Sequence, residues 1–273
     1  MSRPLLTAAG LVLAFVGGVA TQRLLRDCAA SRPPPAVDSV WIEELTAPEV
    51  RDALRAGKTT AIVAAGSTEE NGPYLPTGKH AFVLRLTADA IARKLGNALV
   101  APLVPFEPGE LSTTPGTLNL RPETFEAFVE DEAQSLRANG FRHVVLIGDS
   151  AGDQRGLERV AKKLTAAWGA GGPSVHYVPE YYDSWLAADA AWDALGVPKT
   201  RDDGLHDDYS ATSILAILDP EQIRFERRRA AGQASINGQT LLPLETTVSN
   251  GRKLVEIRAN LTADAIRKAV GDR

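Results

Sequence analysis

From Val40 onward, short uncharged runs alternate with stretches whose apolar residues recur at helical spacing, and no other feature constrains the fold as much. Strands separated by helices cannot pair as hairpins. They lie parallel, with the crossover helices covering both faces of the sheet. Thr59 to Ala65 (TTAIVAA) reads as the first buried strand, and Val83, Leu86, Ala90, Ile91 and Leu95 share one face of a helix after it. Ala98 to Val104 is the next strand, ended by prolines. Phe125 to Ala138 is a helix stopped by Gly140, and His143 to Ile147 is the best parallel-strand run in the chain. Leu157 to Trp168 returns as a helix, and Ser174 to Val178 is a fourth strand after the breaker run 169–173. Ala211 to Leu218 and Leu254 to Val270 complete the helices, with Thr262 an N-cap candidate that could divide the second. The fold class is α/β.

In open parallel sheets ligands bind beyond the carboxyl ends of the strands, where loops converge and helix N-termini point. The loops to inspect are therefore Gly66 to His80, Pro105 to Gly116, Gly148 to Gln154, and Pro179 through Asp208.

Composition narrows the function. With 273 residues, 44% of them hydrophobic, the chain can bury one sizeable core. A net charge of -4 and no Lys/Arg stripe interleaved with aromatics argue against nucleic acid as a partner. Cys28 is the only cysteine, so no internal disulfide or CxxC site can form, and any metal must take oxygen and imidazole ligands.

Residues 1–26 differ in kind. Arg3 precedes an uncharged run from Pro4 to Thr21, and Arg23 and Arg26 follow it. The run suits either a cleaved signal peptide or an N-terminal membrane anchor. Residues 27–39, with three consecutive prolines, read as a linker to a domain over 40–273. An exported, periplasmic or extracytoplasmic protein is expected, touching a membrane only through this segment.

The first loop, Gly66-Ser67-Thr68-Glu69-Glu70-Asn71-Gly72-Pro73-Tyr74-Leu75-Pro76-Thr77-Gly78-Lys79-His80, gathers two acids, an amide and an imidazole. Such a turn can hold a divalent ion, Zn or Mn by its O and N donors. The plain alternative is that Glu69 caps a helix or pairs with Lys79.

This loop resembles the signature of the creatininase family of amidohydrolases, Gly-Ser-x-Glu-Gln-His-Gly-Pro-His-Leu-Pro followed by an Asp. Gly66, Ser67, Glu69, Gly72, Pro73, Leu75 and Pro76 stand at matching positions. The resemblance continues at Pro115-Gly116-Thr117-Leu118 and at Phe141 to Gln154, and it covers roughly Val40 to Pro220. It implies a three-layer α/β/α sandwich with a mostly parallel sheet, a homo-oligomer, commonly a hexamer, and two divalent metals.

The expected ligands are largely changed. Where the family has His, this chain has Asn71; where it has the bridging Asp, His80; where it has Asn-Gly-His, Gly148-Asp149-Ser150. In the family's His-Ala-Gly-x-x-Glu-Thr-Ser segment, His206 is kept and Ala211 replaces Glu. An imidazole cannot bridge two cations as a carboxylate does. The resemblance then implies a rebuilt site in which Glu69, His80, Asp149 and His206 hold a single Zn or Mn. Its bound water would attack a small linear or cyclic amide, with Glu70 or His206 moving the proton. Asn71, Tyr74, Ser150, Tyr181, Asp207 and Asp208 would line the substrate pocket.

Two alternatives stay open. One is a non-catalytic binding protein on the same fold, which wide separation of the four ligands, or the Lys79 ammonium in the metal's place, would favour. The other is a serine hydrolase, because Gly148-Asp149-Ser150-Ala151-Gly152 matches a nucleophile elbow, with His206 as base and Asp207 or Asp208 as acid. Asp207 and Asp208 also suit a helix start. His143 and His176 read as structural, and Arg227-Arg228-Arg229 as a solvated face.

Overall fold

The computed structural model describes residues 37–194 and 206–271. The N-terminal run, Cys28, most of the linker and part of the 179–208 segment lie outside these residues. Among the described residues no helix is long and apolar enough to cross a membrane.

The elements in chain order are α1 (Ala47–Arg55), β1 (Thr60–Ala65), α2 (Lys79–Leu95), β2 (Ala98–Val100), α3 (Pro122–Ala138), β3 (His143–Gly148), α4 (Asp153–Trp168), β4 (Ser174–Tyr177), α5 (Glu180–Ala194), α6 (Tyr209–Leu218), α7 (Phe225–Ala230), the two-residue strands β5 (Ser235–Ile236) and β6 (Gln239–Thr240), and α8 (Leu244–Val270). Four strands form one sheet in the order β2-β1-β3-β4, all parallel. Side chains alternate across it. Ala61, Val63, Val144 and Leu146 pack with α1, α3 and α4 on one face, while Ile62, Ala64, Val145 and Ile147 pack with α2, α5 and α8 on the other. The result is the expected three-layer α/β/α sandwich.

Several boundaries differ from the sequence reading. The second strand pairs only as far as Val100, because Pro102 and Pro105 lack the N–H groups a ladder needs; Val104 rejoins through a single bridge to Ala65. The first long helix begins at Lys79, a turn before Val83. Segment 179–208, read as a loop, carries α5, whose Tyr181 and Ser184 are buried. The last helix starts at Leu244 and runs undivided past Thr262, which is fully buried, while the Asn260 amide bonds Glu256 one turn back and caps nothing.

Two close approaches need glycine. On α8, a Cβ at Gly251 would lie 2.1 Å from the Ser213 carbonyl oxygen, so α6 and α8 cross almost backbone to backbone. At the end of β1, a Cβ at Gly66 would lie 2.9 Å from the His80 Cβ, so the start of α2 can press against the strand end. The second contact sets the site.

Candidate active site

The carboxyl ends of β1 and β3 lie side by side, with Ala65 opposite Gly148. The loop after β1 brings Glu69, the start of α2 brings Lys79 and His80, and the loop after β3 brings Asp149 and Ser150. Lys79 and His80 put two basic residues, and no acid, in the first turn of α2, against the helix dipole. Carboxylates offset them. His80 Nδ1 lies 2.8 Å from Asp149 Oδ2, and His80 Nε2 lies 2.8 Å from Glu69 Oε1. Ionised carboxylates only accept, so both ring nitrogens donate and the ring is an imidazolium.

Asp149 is held from its other side. Its Oδ1 accepts from Arg258 Nη2 at 2.9 Å and from the Tyr181 hydroxyl at 3.0 Å. Arg258, on α8, is fully buried: Nε donates to Ser184 Oγ at 2.9 Å, and the guanidinium stacks on the Tyr181 and Trp185 rings. Burial pulls the Asp149 carboxyl upward, but the charges of Arg258 and His80 outweigh it and hold Asp149 below the usual carboxylate range. For His80, burial works downward, yet hydrogen bonds to Asp149 and Glu69 raise it to about 9. Burial likewise opposes ionisation of Glu69, and the His80 bond and charge prevail, lowering it to about 2.

A cavity of about 650 Å³ opens over this row. Lys79, 5% exposed, lines it, and its positive charge helps to hold the Glu69 carboxyl down. Beside Glu69 stands Glu107, from the loop after β2, which lines the cavity and accepts a hydrogen bond from Ser150 Oγ. Burial pushes the Glu107 carboxyl up, and the Glu69 charge adds to the shift, while the Ser150 bond works against both. Behind them Asp153 is fully buried and raised well above its ordinary value by desolvation, and it accepts the Ser150 N–H at 3.2 Å. Tyr182 and Trp185 give the cavity aromatic walls.

The residues expected from sequence divide into two groups. Glu69, His80, Asp149, His206, Ser150 and Asp208 line the cavity. His206 Nε2 stands 3.9 Å from Glu69 Oε1, and its Nδ1 lies 2.7 Å from the Glu70 carbonyl oxygen. Asp208 also caps α6 through the Ala211 N–H, the helix-start role. The remaining expectations are corrected. Glu70 is absent from the lining; its carboxylate accepts the Gly72 N–H and closes a turn. The buried Asn71 amide donates to the Glu69 carbonyl and shapes the loop. Tyr74 bonds Gln233 under the Arg228 guanidinium, and Asp207 forms a buried ion pair with Arg228 at 2.9 Å, so that basic residue is no solvated face. Tyr181 lies behind the site on Asp149, and Tyr182 takes the wall position. Ser150 bonds Glu107, while His206 faces the first loop and Asp207 faces Arg228, so a Ser150–His206–Asp207 triad is not assembled.

Sequence reasoning missed Glu107, Asp153 and Arg258, and weighed Lys79 only as an ammonium in the metal's place. Glu107 and Asp153 sat inside loops marked for inspection. Arg258, 109 residues beyond Asp149, left no local signal.

The creatininase family model, described as creatinine amidohydrolase, matches residues 43–262. The chain belongs to the creatininase family. Solved creatininase shares its fold at a TM-score of 0.66 and 19% identity, over 85% of this chain and 98% of that one. A putative creatinine amidohydrolase from Bacteroides fragilis matches at 0.57 and 17%, over 83% and 94%. Mycofactocin precursor peptide peptidase of Mycolicibacterium smegmatis is 22% identical over 78% of this chain and 86% of its own. The 3-dehydro-scyllo-inosose hydrolase of Thermotoga maritima is 28% identical over 109 residues, 40% of this chain and only 35% of that protein. As a member of this family the chain is an amidohydrolase-type enzyme, of a divergent branch.

Solved creatininases include a Zn–Zn form and a Mn form. The donors of this chain do not fit the single ion expected at Glu69, His80, Asp149 and His206. His80 spends both ring nitrogens on carboxylates, and Asp149 spends both oxygens on His80, Arg258 and Tyr181. Among the described residues no group of three or more His, Cys, Asp or Glu is disposed to hold a metal ion.

Proposed function

We propose that this protein hydrolyses a C–N bond of a small linear or cyclic amide in the cavity bounded by Glu69, Lys79, Glu107, Ser150 and His206. The observation that carries the reading is the pairing of Glu107 with the Ser150 hydroxyl in the same cavity that the buried Lys79 lines. The volume suits a small molecule, and the names of the amidohydrolase and peptidase relatives support an amide.

Amide hydrolysis needs an oxygen nucleophile, a donor for the developing oxyanion, and a proton for the departing nitrogen. Lys79 supplies the donor. Glu107 accepts the proton of the attacking oxygen as the C–O bond forms, then returns it to nitrogen as the C–N bond breaks. Burial raises its pKa, which suits the second transfer. His206, with Nδ1 tied to the Glu70 carbonyl, offers Nε2 to the substrate at the mouth. The Ser150–Glu107 bond favours a second route in which Ser150 Oγ is the nucleophile and water later releases the acyl group.

The test is product analysis by mass spectrometry over a panel of linear and cyclic amides, with Glu107→Gln and Ser150→Ala beside the parent chain. Glu107→Gln should lower kcat roughly 10²–10⁴-fold with its melting temperature kept. Ser150→Ala should abolish turnover on the covalent route and spare most of it on the water route. A parent chain that binds amides and turns over none would instead be a non-catalytic member of the family. The same proposal places the enzyme outside the cytoplasm through residues 1–26, to be checked by fractionation of cells expressing the full chain. It also expects a homo-oligomer, which light scattering would weigh.

A further inference from the structure

We propose that His80 and Arg258 stand in for divalent cations in this chain, so that the site is assembled and charge-balanced without a metal. The argument is an accounting of lone pairs and charges. A metal ligand must present a free lone pair, and a neutral imidazole has one. At His80 both nitrogens face carboxylate oxygens at 2.8 Å, so both carry hydrogen and neither can ligate. An imidazolium set between Glu69 and Asp149 makes the two contacts a bridging cation would make, with hydrogen bonds in place of coordination.

The far side of Asp149 is closed in the same way. Arg258 takes Oδ1 at 2.9 Å and cannot swing aside: it bonds Ser184 Oγ at 2.9 Å and the Tyr181 carbonyl at 3.2 Å. Its guanidinium centre lies 4.2 Å from the Tyr181 ring centroid and 3.9 Å from that of Trp185. Two carboxylates are thereby matched by two cations. The buried Lys79 ammonium and the Glu107 carboxylate also line the cavity and add one charge of each sign, so the balance holds without a dication. Glu69 and His206 remain within 3.9 Å of each other, and two donors at the mouth fall short of a site.

This inference stands whether or not the cavity hydrolyses amides, because its readouts are metal content and melting temperature. The full chain is purified without chelator from medium supplemented with zinc and manganese, analysed for metals, and melted alone, with EDTA, and with either ion. The expected result is metal far below one ion per chain and a melting temperature that none of the additions moves. Stoichiometric zinc or manganese whose removal by EDTA lowers the melting temperature would overturn it. In His80→Asp the imidazole is replaced by an oxygen donor, and zinc should raise that variant's melting temperature while leaving the parent's unchanged. A folded His80→Asp chain indifferent to zinc would sink the claim that His80 occupies the cation's ground, and a variant that does not fold leaves the parent's metal content to decide.

Discussion

At the scale of single residues, the row Glu69–His80–Asp149–Arg258 ties stability to pH. The folded His80 pKa, about 9, lies above its ordinary 6.5, so its stabilisation is fully present below 6.5 and is lost as pH rises through 9. Glu132 also loses stability on the alkaline side, but earlier. Burial, with Glu43 nearby, raises its carboxyl to about 7, so the folded state is penalised as pH climbs from 4.5 through 7. Chemical denaturation across pH should therefore show stability falling from pH 5 to 9, and Glu132→Gln should make the part below about 7 shallower, the raised Glu107 and Asp153 carboxyls keeping the rest of the slope. A parent profile flat between 7 and 9 would contradict the charged His80. Glu69 acts in the opposite sense: its pKa is lowered to about 2, so its contribution is complete above 4.5 and lost as pH falls through 2. Removing Arg258 strands a buried carboxylate, and Arg258→Ala should cost about 3–5 kcal/mol, a drop in melting temperature on the order of 10 °C. A loss under about 1 kcal/mol would mean that Asp149 finds another partner or a proton.

Among the elements, strands and crossover helices were legible because burial on both faces leaves uninterrupted apolar runs, as at Val144 to Ile147. Helix ends were less so. The start of α2 is polar and basic, and only tertiary carboxylates explain why Lys79 and His80 belong to it. Likewise, Glu180 to Ala194 has no clear amphipathic period, since Tyr181 is buried in the core while Tyr182 and Trp185 line the cavity. The family resemblance located the first loop and Asp149 correctly, yet a one-dimensional pattern records residue types, not which atoms are already spoken for. At the α6–α8 crossing the sign of a substitution can be decided. Gly251→Ala gains about 1 kcal/mol of helix propensity, but its methyl would sit 2.1 Å from the Ser213 carbonyl oxygen, a clash with rigid backbone. Overpacking costs about 1–3 kcal/mol, so urea unfolding should show a net loss of stability. A stabilised Gly251→Ala would show that the helices can slide apart freely.

For the whole molecule, residues Ser39–Arg273 form one compact unit. If residues 27–39 serve as a linker, a chain beginning at Ser39 should melt at the same temperature as the full chain while losing its export. A shared melting temperature together with unchanged location would leave the export reading without support. Arg258, carried on α8, answers Asp149 from 109 residues further along the chain. Translation proceeds at about 5–20 residues per second, so roughly 5–20 seconds separate the synthesis of the two. During that interval the nascent chain holds an acidic sheet end with no guanidinium to meet it. The face covered by α1, α3 and α4 has its residues by then, whereas the other face lacks Ala259 and Ile266 until the final long helix docks. A chain cut short before α8 therefore leaves the Asp149 carboxylate without its guanidinium and one face of the sheet without part of its cover.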